Sequence, residues 1–171
     1  MNRYLSENFS WREMIHTTHR ELINDNRIQA EADIRLLLNA RALCRTVLQP
    51  IRDLLGPVVI HSGFRSPKLN VDVGGSVKSQ HMDFEAADFH VLGMGVEEAY
   101  SIIRAELIEK DVISVGQYIL EGHASWIHIS LGYPWRDAQK NGQVMTINNT
   151  ADNKSASGSF QTIPTGLYLP K

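Results

Sequence analysis

The hydrophobic pattern of the chain changes its period at Gly56-Pro57, and this change limits the folds that are open to it. Over residues 29–55, apolar side chains recur about every 3.6 positions, which predicts a long helix. Pro50 lies inside that pattern and is expected to kink or split the helix. Residues 58–60 form a short apolar run, which together with His61 predicts a buried strand.

Most of the remaining pattern also predicts short strands. Residues 86–91 fit one strand, and residues 115–121 and 125–131 are two runs joined by a three-residue link, which predicts a β-hairpin. A helix is expected over residues 95–110, and an edge strand over residues 144–147. Helices followed by short strands with an inserted helix predict an α+β fold, in which one small antiparallel sheet packs with helices.

Length and composition indicate a single domain. A chain of 171 residues favours one domain, which we place at residues 1–150, and residues 151–171 are expected to form a flexible tail. The net charge of -2 gives no reason to expect nucleic acid as a partner. No apolar run is long enough to predict membrane insertion. Cys44, the single cysteine, is expected in the core, and a monomer is favoured.

Candidate metal ligands lie in two separate segments. His81 and Asp88 are seven residues apart, and His128 follows on the second hairpin strand. Strand alternation places His128 opposite Ile127 and Ile129, so it faces away from the core. Two imidazoles and one carboxylate suit a zinc ion that keeps one position for water, and such a site hydrolyses bonds. The spacing alone is a weak signal, because histidine and aspartate are common.

The order of several motifs is more specific than that spacing. The chain carries, in this order, Ser62-Gly63-Phe64-Arg65-Ser66, Asn70, Val73-Gly74-Gly75-Ser76, Ser79-Gln80-His81, Ala86-Ala87-Asp88 and Trp126-Ile127-His128. This order resembles the zinc D-Ala-D-Ala carboxypeptidase family, with its phage and bacterial peptidoglycan peptidases and its distant hedgehog-like relatives. The resemblance covers roughly residues 5–148 and implies a hedgehog/DD-peptidase-like fold.

The resemblance implies roles for individual residues. His81, Asp88 and His128 match the family's ligands, which implies one Zn²⁺ per chain. Arg65 lies in a turn just past the first predicted strand and matches the arginine that holds the substrate carboxylate or carbonyl. Further substrate contacts are assigned to Ser79, Gln80 and Trp126. The glycine-containing segment at 74–76 is expected to be a flexible turn.

The general base has two candidates. Some relatives carry an acid three residues before the last ligand, but Ser125 occupies that place here. The carboxypeptidase branch has a histidine five residues before the ligand, which corresponds to His123. Glu121 is the second candidate. One departure concerns the glycine that relatives usually have three residues after the first ligand: Phe84 stands there and is expected to reshape the cleft or to shift His81.

The implied function is zinc-dependent hydrolysis of peptide bonds in bacterial peptidoglycan, of the DD-carboxypeptidase or endopeptidase type, with the stem peptide as substrate. Another wall bond, such as that cut by an amidase, is an alternative on the same site. A non-catalytic, zinc-containing cell-wall-binding module is the alternative from another class. The first eight residues lack an apolar signal core, so we expect synthesis in the cytoplasm. The expected context is a phage or prophage endolysin that a separate holin-like protein releases to the wall.

Overall fold

The computed structural model of the protein describes residues 3–121, 125–132 and the backbone of 143–146. Its α-helices are α1 Trp11–Met14, α2 Ile23–Glu31, α3 Ile34–Leu43, α4 Gln49–Leu55, α5 Pro67–Asp72 and α6 Val96–Ile103. Its strands are β1 Val58–Ser62, β2 Ala86–Val91, β3 Val115–Glu121, β4 Trp126–Leu131 and β5 Gln143–Thr146. A 3₁₀ turn spans Arg20–Leu22, and π-helical turns span Cys44–Leu48 and Arg104–Ile108. Within the described part of the chain, no helix has both the length and the apolar character that crossing a membrane requires.

The helical pattern before Gly56 is divided at two points. Pro50 lies in the first turn of α4, directly after the π-helical turn, so the helix changes type just before the proline that was expected to kink or split it. A proline has no N–H to donate and its ring crowds the preceding turn, which explains the local change of helix type. The second division, between α2 and α3, was not predicted. There the carboxylate of Asp33 caps α3 by accepting the N–H of Arg35 at 2.8 Å, which starts a new helix inside the apolar pattern.

The five strands form one sheet in the order β1-β2-β4-β3-β5. The pairs β1–β2, β2–β4 and β3–β4 are all antiparallel, which confirms the α+β prediction. An edge strand exists close to the predicted position, but β5 pairs with β3 in parallel. A sequence pattern marks a strand without fixing its partner, because both pairings use the same extended backbone.

The apolar face of the sheet packs against the helices. Phe89 of β2 and Ile127 and Ile129 of β4 are fully buried in one core cluster, which also contains Cys44 and Ile51 of the divided helix. Alternation along β4 therefore works as predicted, with the isoleucines inward and His128 on the opposite face. On the opposite face, Asp88 of β2 and His128 of β4 line a cleft.

The N-terminal segment is fixed against the end of β1. Ser10 and Glu13 form a reciprocal capping box around α1. The last residue of α1, Met14, accepts a hydrogen bond at its carbonyl from the N–H of Phe64 at 2.8 Å. This contact holds α1 against the turn that follows β1, and that turn carries Arg65.

Candidate metal centre

The described structure brings His81, Asp88 and His128 together. Asp88 of β2 and His128 of β4 are direct cross-strand partners, so their side chains leave the sheet side by side. His81 reaches them from the turn before β2. Asp88 Oδ1 lies 2.8 Å from His128 Nδ1 and 3.2 Å from His81 Nε2. All three residues are buried, and one potential ligand atom from each lies within 4.8 Å of the others.

The orientation of His81 is set by a backbone carbonyl. His81 Nδ1 lies 2.6 Å from the carbonyl oxygen of Gly63, which can only accept, so this nitrogen carries the proton. Nε2 therefore keeps its lone pair and faces Asp88. Histidine ligands in metal sites are commonly held in this way by a hydrogen bond from the second ring nitrogen.

Gly63 lies in close contact with the backbone of Met14 at the end of α1. A Cβ at this position would lie 2.2 Å from the carbonyl oxygen of Met14, so only glycine fits without a shift of the main chain. This role of Gly63 was not predicted from the sequence, although the residue belongs to the motif Ser62-Gly63-Phe64-Arg65-Ser66. Its position between Ser62 and Phe64, directly before the candidate arginine, was the available signal.

Asp88 is an anionic group at the centre of the cluster. Burial alone would raise its pKa, but the neighbouring rings of His81 and His128 outweigh burial and hold the pKa of Asp88 well below its usual range. The carboxylate is therefore ionised at neutral pH. Its second oxygen, Oδ2, accepts a hydrogen bond from the guanidinium of Arg65. The other oxygen, Oδ1, faces the two imidazoles, where it could serve as a metal ligand together with them.

Arg65 thus contacts a candidate metal ligand directly. Its Nε donates to Ser62 Oγ at 2.7 Å, and its terminal nitrogen donates to Asp88. The two contacts hold the guanidinium at the edge of the cleft, and its side chain is 18% exposed. The substrate-binding role expected for Arg65 stays a prediction, while its contact with Asp88 was not foreseen from the sequence.

An open cleft of about 1150 Å³ lies over the three residues. The predicted substrate contacts Arg65, Ser79, Gln80 and Trp126 all line it, as does Glu121. Glu121 and Trp126 are paired where β3 ends and β4 begins, at the turn end of the hairpin. His123, the first candidate for the general base, lies outside the described residues. The structure therefore places one of the two candidate bases at the cleft and leaves the choice between them as a prediction.

Phe84 does not enter the cleft, which corrects the expectation that it reshapes the site. Its side chain is fully buried, and its ring centroid lies 5.3 Å from those of Trp11 and Phe64 in the core. The backbone of Phe84 has a φ of 58°, in the left-handed region that glycine occupies most easily. Phe84 therefore holds a backbone conformation that glycine adopts most easily, while its ring fills core volume.

Other histidines lie outside the buried cluster. His61 is exposed and stacks on His90, with 2.7 Å between His61 Nε2 and His90 Nδ1. His19 lies with Glu21 and Asp72 in a second, surface-exposed group, where His19 Nδ1 is 2.6 Å from Asp72 Oδ2. The contact between His19 and Asp72 could not be predicted from local pattern, because 53 positions separate the two residues.

The donor set of the buried cluster fits a zinc ion. Two imidazoles and a carboxylate from rigid elements, with an open cleft above them, match the three-ligand pattern of catalytic zinc sites. The fixed tautomer of His81 and the ionised Asp88 supply the lone pairs that such an ion needs. An α+β domain with this group below a cleft has the architecture of a metal-dependent hydrolase.

Comparison with protein families identifies the family of hydrolases to which the chain belongs. A family model for Peptidase M15 matches residues 8–130, more than two thirds of the chain. The chain belongs to this family, which confirms the resemblance to the zinc D-Ala-D-Ala carboxypeptidases, and the family consists of metallopeptidases that act on peptidoglycan-type substrates. A search of curated proteins gives no match to the chain.

Proposed function

We propose that the protein is a zinc-dependent peptidase that cuts a peptide bond in the stem peptide of peptidoglycan, as a D-Ala-D-Ala carboxypeptidase or an endopeptidase. The observation that carries the proposal is the buried group of His81, Asp88 and His128 beneath an open cleft, in a chain of the M15 peptidase family. A single Zn²⁺ per chain is the proposed cofactor, held by these three side chains.

In the proposed hydrolysis, the zinc ion and the side chains of the protein have different roles. When bound, zinc supplies Lewis acidity toward a carbonyl and lowers the pKa of water. Gly63 keeps the lone pair of His81 Nε2 directed into the site, and Arg65 holds Asp88 by its second oxygen. Arg65 also lines the cleft, where its remaining N–H groups can donate to a carbonyl or carboxylate oxygen of the substrate. A base, His123 or Glu121, accepts the proton of the attacking water and returns it to the leaving amine.

Digestion of purified peptidoglycan tests this proposal. The zinc-loaded protein is incubated with soluble muropeptides, and mass spectrometry identifies the released fragments. We expect loss of a terminal D-alanine or opening of a peptide cross-link, abolition by a chelator and recovery on adding zinc. Binding to the wall without any released fragment, unchanged by chelation, would instead favour the non-catalytic wall-binding module. Fragments cut at a sugar–peptide amide would move the assignment to an amidase.

Two variants separate the candidate bases. If His123 is the base, His123→Ala retains zinc while activity falls by about 10²–10⁴-fold, the usual contribution of general acid–base catalysis. Glu121→Gln then has the smaller effect. The reverse ranking assigns the base role to Glu121. Zinc content is measured for both variants, because only a loss of turnover with full metal occupancy reports on proton transfer.

The proposed biological context is phage or prophage lysis, with release to the wall by a separate holin-like protein. The proposal follows from the location of the substrate, which lies outside the cytoplasmic membrane. Expression of the protein in a bacterial host with and without a membrane-permeabilising protein tests it. Lysis only in the presence of the second protein is expected, and lysis in its absence would contradict a separate release step.

A further inference from the structure

The cleft has two cations among its described lining residues, and only one of them is paired. Arg65 is already bound to Asp88 and Ser62. Lys78 also lines the cleft, three residues before His81, and among the described residues it forms no ion pair. The cleft therefore contains a cation that an acidic ligand can reach without breaking an existing salt bridge.

Lys78 is carried by a short loop whose shape is fixed by one carbonyl. The carbonyl oxygen of Ser76 accepts the side-chain N–H of Asn70 at 2.8 Å and the backbone N–H of Ser79 at 3.0 Å. Ser76 Oγ also accepts the N–H of Lys78 at 3.2 Å. We refer to residues 73–78 as the cleft loop. Hydrogen bonds to Ser76 hold the backbone N–H groups of both Lys78 and Ser79, so the backbone from which the lysine side chain extends is fixed.

Asn70 ties the cleft loop to α5. Its side chain is 2% exposed, and its backbone carbonyl accepts the N–H of Gly75 at 2.8 Å. A Cβ at Gly75 would lie 2.2 Å from Asn70 Oδ1, so the loop packs directly on the asparagine. The segment Gly74-Gly75-Ser76, expected to be a flexible turn, is hydrogen-bonded to Asn70 in the structure. Glycine here serves close approach, because no left-handed backbone is needed at Gly75.

We infer that the cleft loop is a carboxylate-binding wall of the substrate site, in which Lys78 binds an acidic group of the peptide and Asn70 is the positioning residue that holds the loop. A lysine ammonium is a compact charge that binds a carboxylate without demanding a planar, two-pronged contact. Stem peptides carry free carboxylates close to their scissile bonds. The inference rests on the proposed peptidase function and names the substrate feature that this side of the cleft recognises.

Two matched peptides test the role of Lys78. One is a stem peptide with a free carboxylate next to the cleaved bond, and the other is the same peptide with that group as a carboxamide. We expect Lys78→Ala to raise KM for the acid by about tenfold, the loss of one charge-assisted hydrogen bond. Its kcat and its KM for the amide should change little, and Lys78→Arg should restore most of the affinity. Lys68→Ala removes an exposed lysine of α5 outside the cleft lining and serves as the control.

If Lys78→Ala raised KM equally for the acid and the amide, the assignment would be overturned, because Lys78 would then not bind the carboxylate. If the proposed peptidase function is wrong, neither peptide is cleaved, and this outcome is distinct from equal changes in KM. If the unmodified protein cleaves neither peptide, calorimetric titration of the zinc-loaded protein with both peptides still measures the preference for the acid. Tighter binding of the acidic peptide that is lost in Lys78→Ala supports the carboxylate-binding role of the cleft loop. Equal binding of the acid and the amide overturns that role.

A double-variant cycle tests the positioning role of Asn70. Asn70→Ala and Gly75→Ala should each raise KM for the acidic peptide several-fold with zinc content unchanged. The combined variant should be no worse than Asn70→Ala alone, because the new Cβ then meets no amide oxygen. Additive losses would contradict the contact. Asn70→Leu is close in size and removes the donated hydrogen bond to Ser76 without adding a charge, so it keeps the test valid if Asn70→Ala does not fold. A normal KM in Asn70→Leu would overturn the positioning role.

Discussion

At the scale of single residues, Gly63 joins the fold to the metal centre. Its missing side chain lets Met14 approach, and its carbonyl fixes the proton on His81. The ligands themselves could be predicted from the sequence, because their spacing and chemistry are both visible there. The function of Gly63 could not, since it depends on a contact with Met14, 49 positions earlier in the chain.

The first prediction concerns this glycine. Gly63→Ala should weaken zinc binding by about 10- to 100-fold, the usual effect of losing a hydrogen bond behind a metal ligand. The added Cβ pushes the carbonyl away from His81 Nδ1. Competition with a chromogenic chelator measures the affinity. Gly95→Ala is the control, because a Cβ there would meet only Glu98 at an ordinary 3.9 Å. Equal affinities in the two variants would contradict the role of Gly63.

Arg65 carries the second prediction. Arg65→Ala should fold and retain zinc, because arginine is not a ligand, but should lose activity by roughly 10- to 100-fold. That loss corresponds to one charge-assisted hydrogen bond of about 1.5–3 kcal/mol. Steady-state kinetics and metal analysis on the same sample give both quantities. Unchanged turnover would return Arg65 to the role of a structural partner of Asp88.

Phe84 presents two opposing effects, and their sizes decide the third prediction. Phe84→Gly relieves a left-handed backbone, a gain of about 1–2 kcal/mol, but removes a buried ring, a loss of about 3–5 kcal/mol. We therefore expect a net destabilisation of about 1–4 kcal/mol in denaturant unfolding. Zinc affinity should stay normal, since the ring packs on Trp11 and Phe64 in the core. A stabilised variant would show that backbone strain outweighs packing here.

At the scale of elements, the strands were predicted more accurately than the helices. β2 and the β3–β4 hairpin stand where their alternating patterns placed them, because a sheet with one core face imposes a period of two on the sequence. The division between α2 and α3 was missed, because Asp33 interrupts the backbone without interrupting the apolar pattern. The parallel pairing of β5 with β3 could not be predicted from the local hydrophobic pattern either, because the partner of a strand depends on the whole sheet.

Asn26 of α2 provides the fourth prediction, because it clamps two elements around the Arg65 turn. Its side-chain amide donates to the carbonyls of Ile15 and Phe64 at 2.9 and 3.2 Å and accepts the N–H of Ser66 at 2.7 Å. Asn26→Ala leaves these buried groups unpaired and should cost about 2–4 kcal/mol of unfolding free energy. Asn24→Ala, at an exposed position of the same helix, should cost far less. Similar losses in both would mean that helix propensity, not the clamp, sets the effect.

At the scale of the whole molecule, the metal centre adds a link between segments that the sheet and the core already bring together. His81 comes from a turn, Asp88 from β2 and His128 from β4, so a bound ion would crosslink three segments. The family match ends at residue 130, while the domain was expected to extend to residue 150 with a flexible tail beyond it. That boundary stays a prediction, and a chain that ends at residue 150 should keep zinc binding and activity if it is correct.

The fifth prediction follows from this crosslink. A ligand that binds only the folded state stabilises it by about 2.7 kcal/mol at 100 times its Kd, so zinc should raise Tm by roughly 5–10 °C for a chain of this size. Calorimetric scans with zinc and with a chelator measure the difference. Asp88→Ala should abolish the zinc-dependent shift, because a three-ligand site does not tolerate the loss of its carboxylate. His19→Ala removes the histidine of the exposed group with Glu21 and Asp72 and should leave the shift intact. A shift that survives Asp88→Ala but disappears in His19→Ala would place the stabilising ion at the surface group, and the proposed catalytic zinc would lose its support.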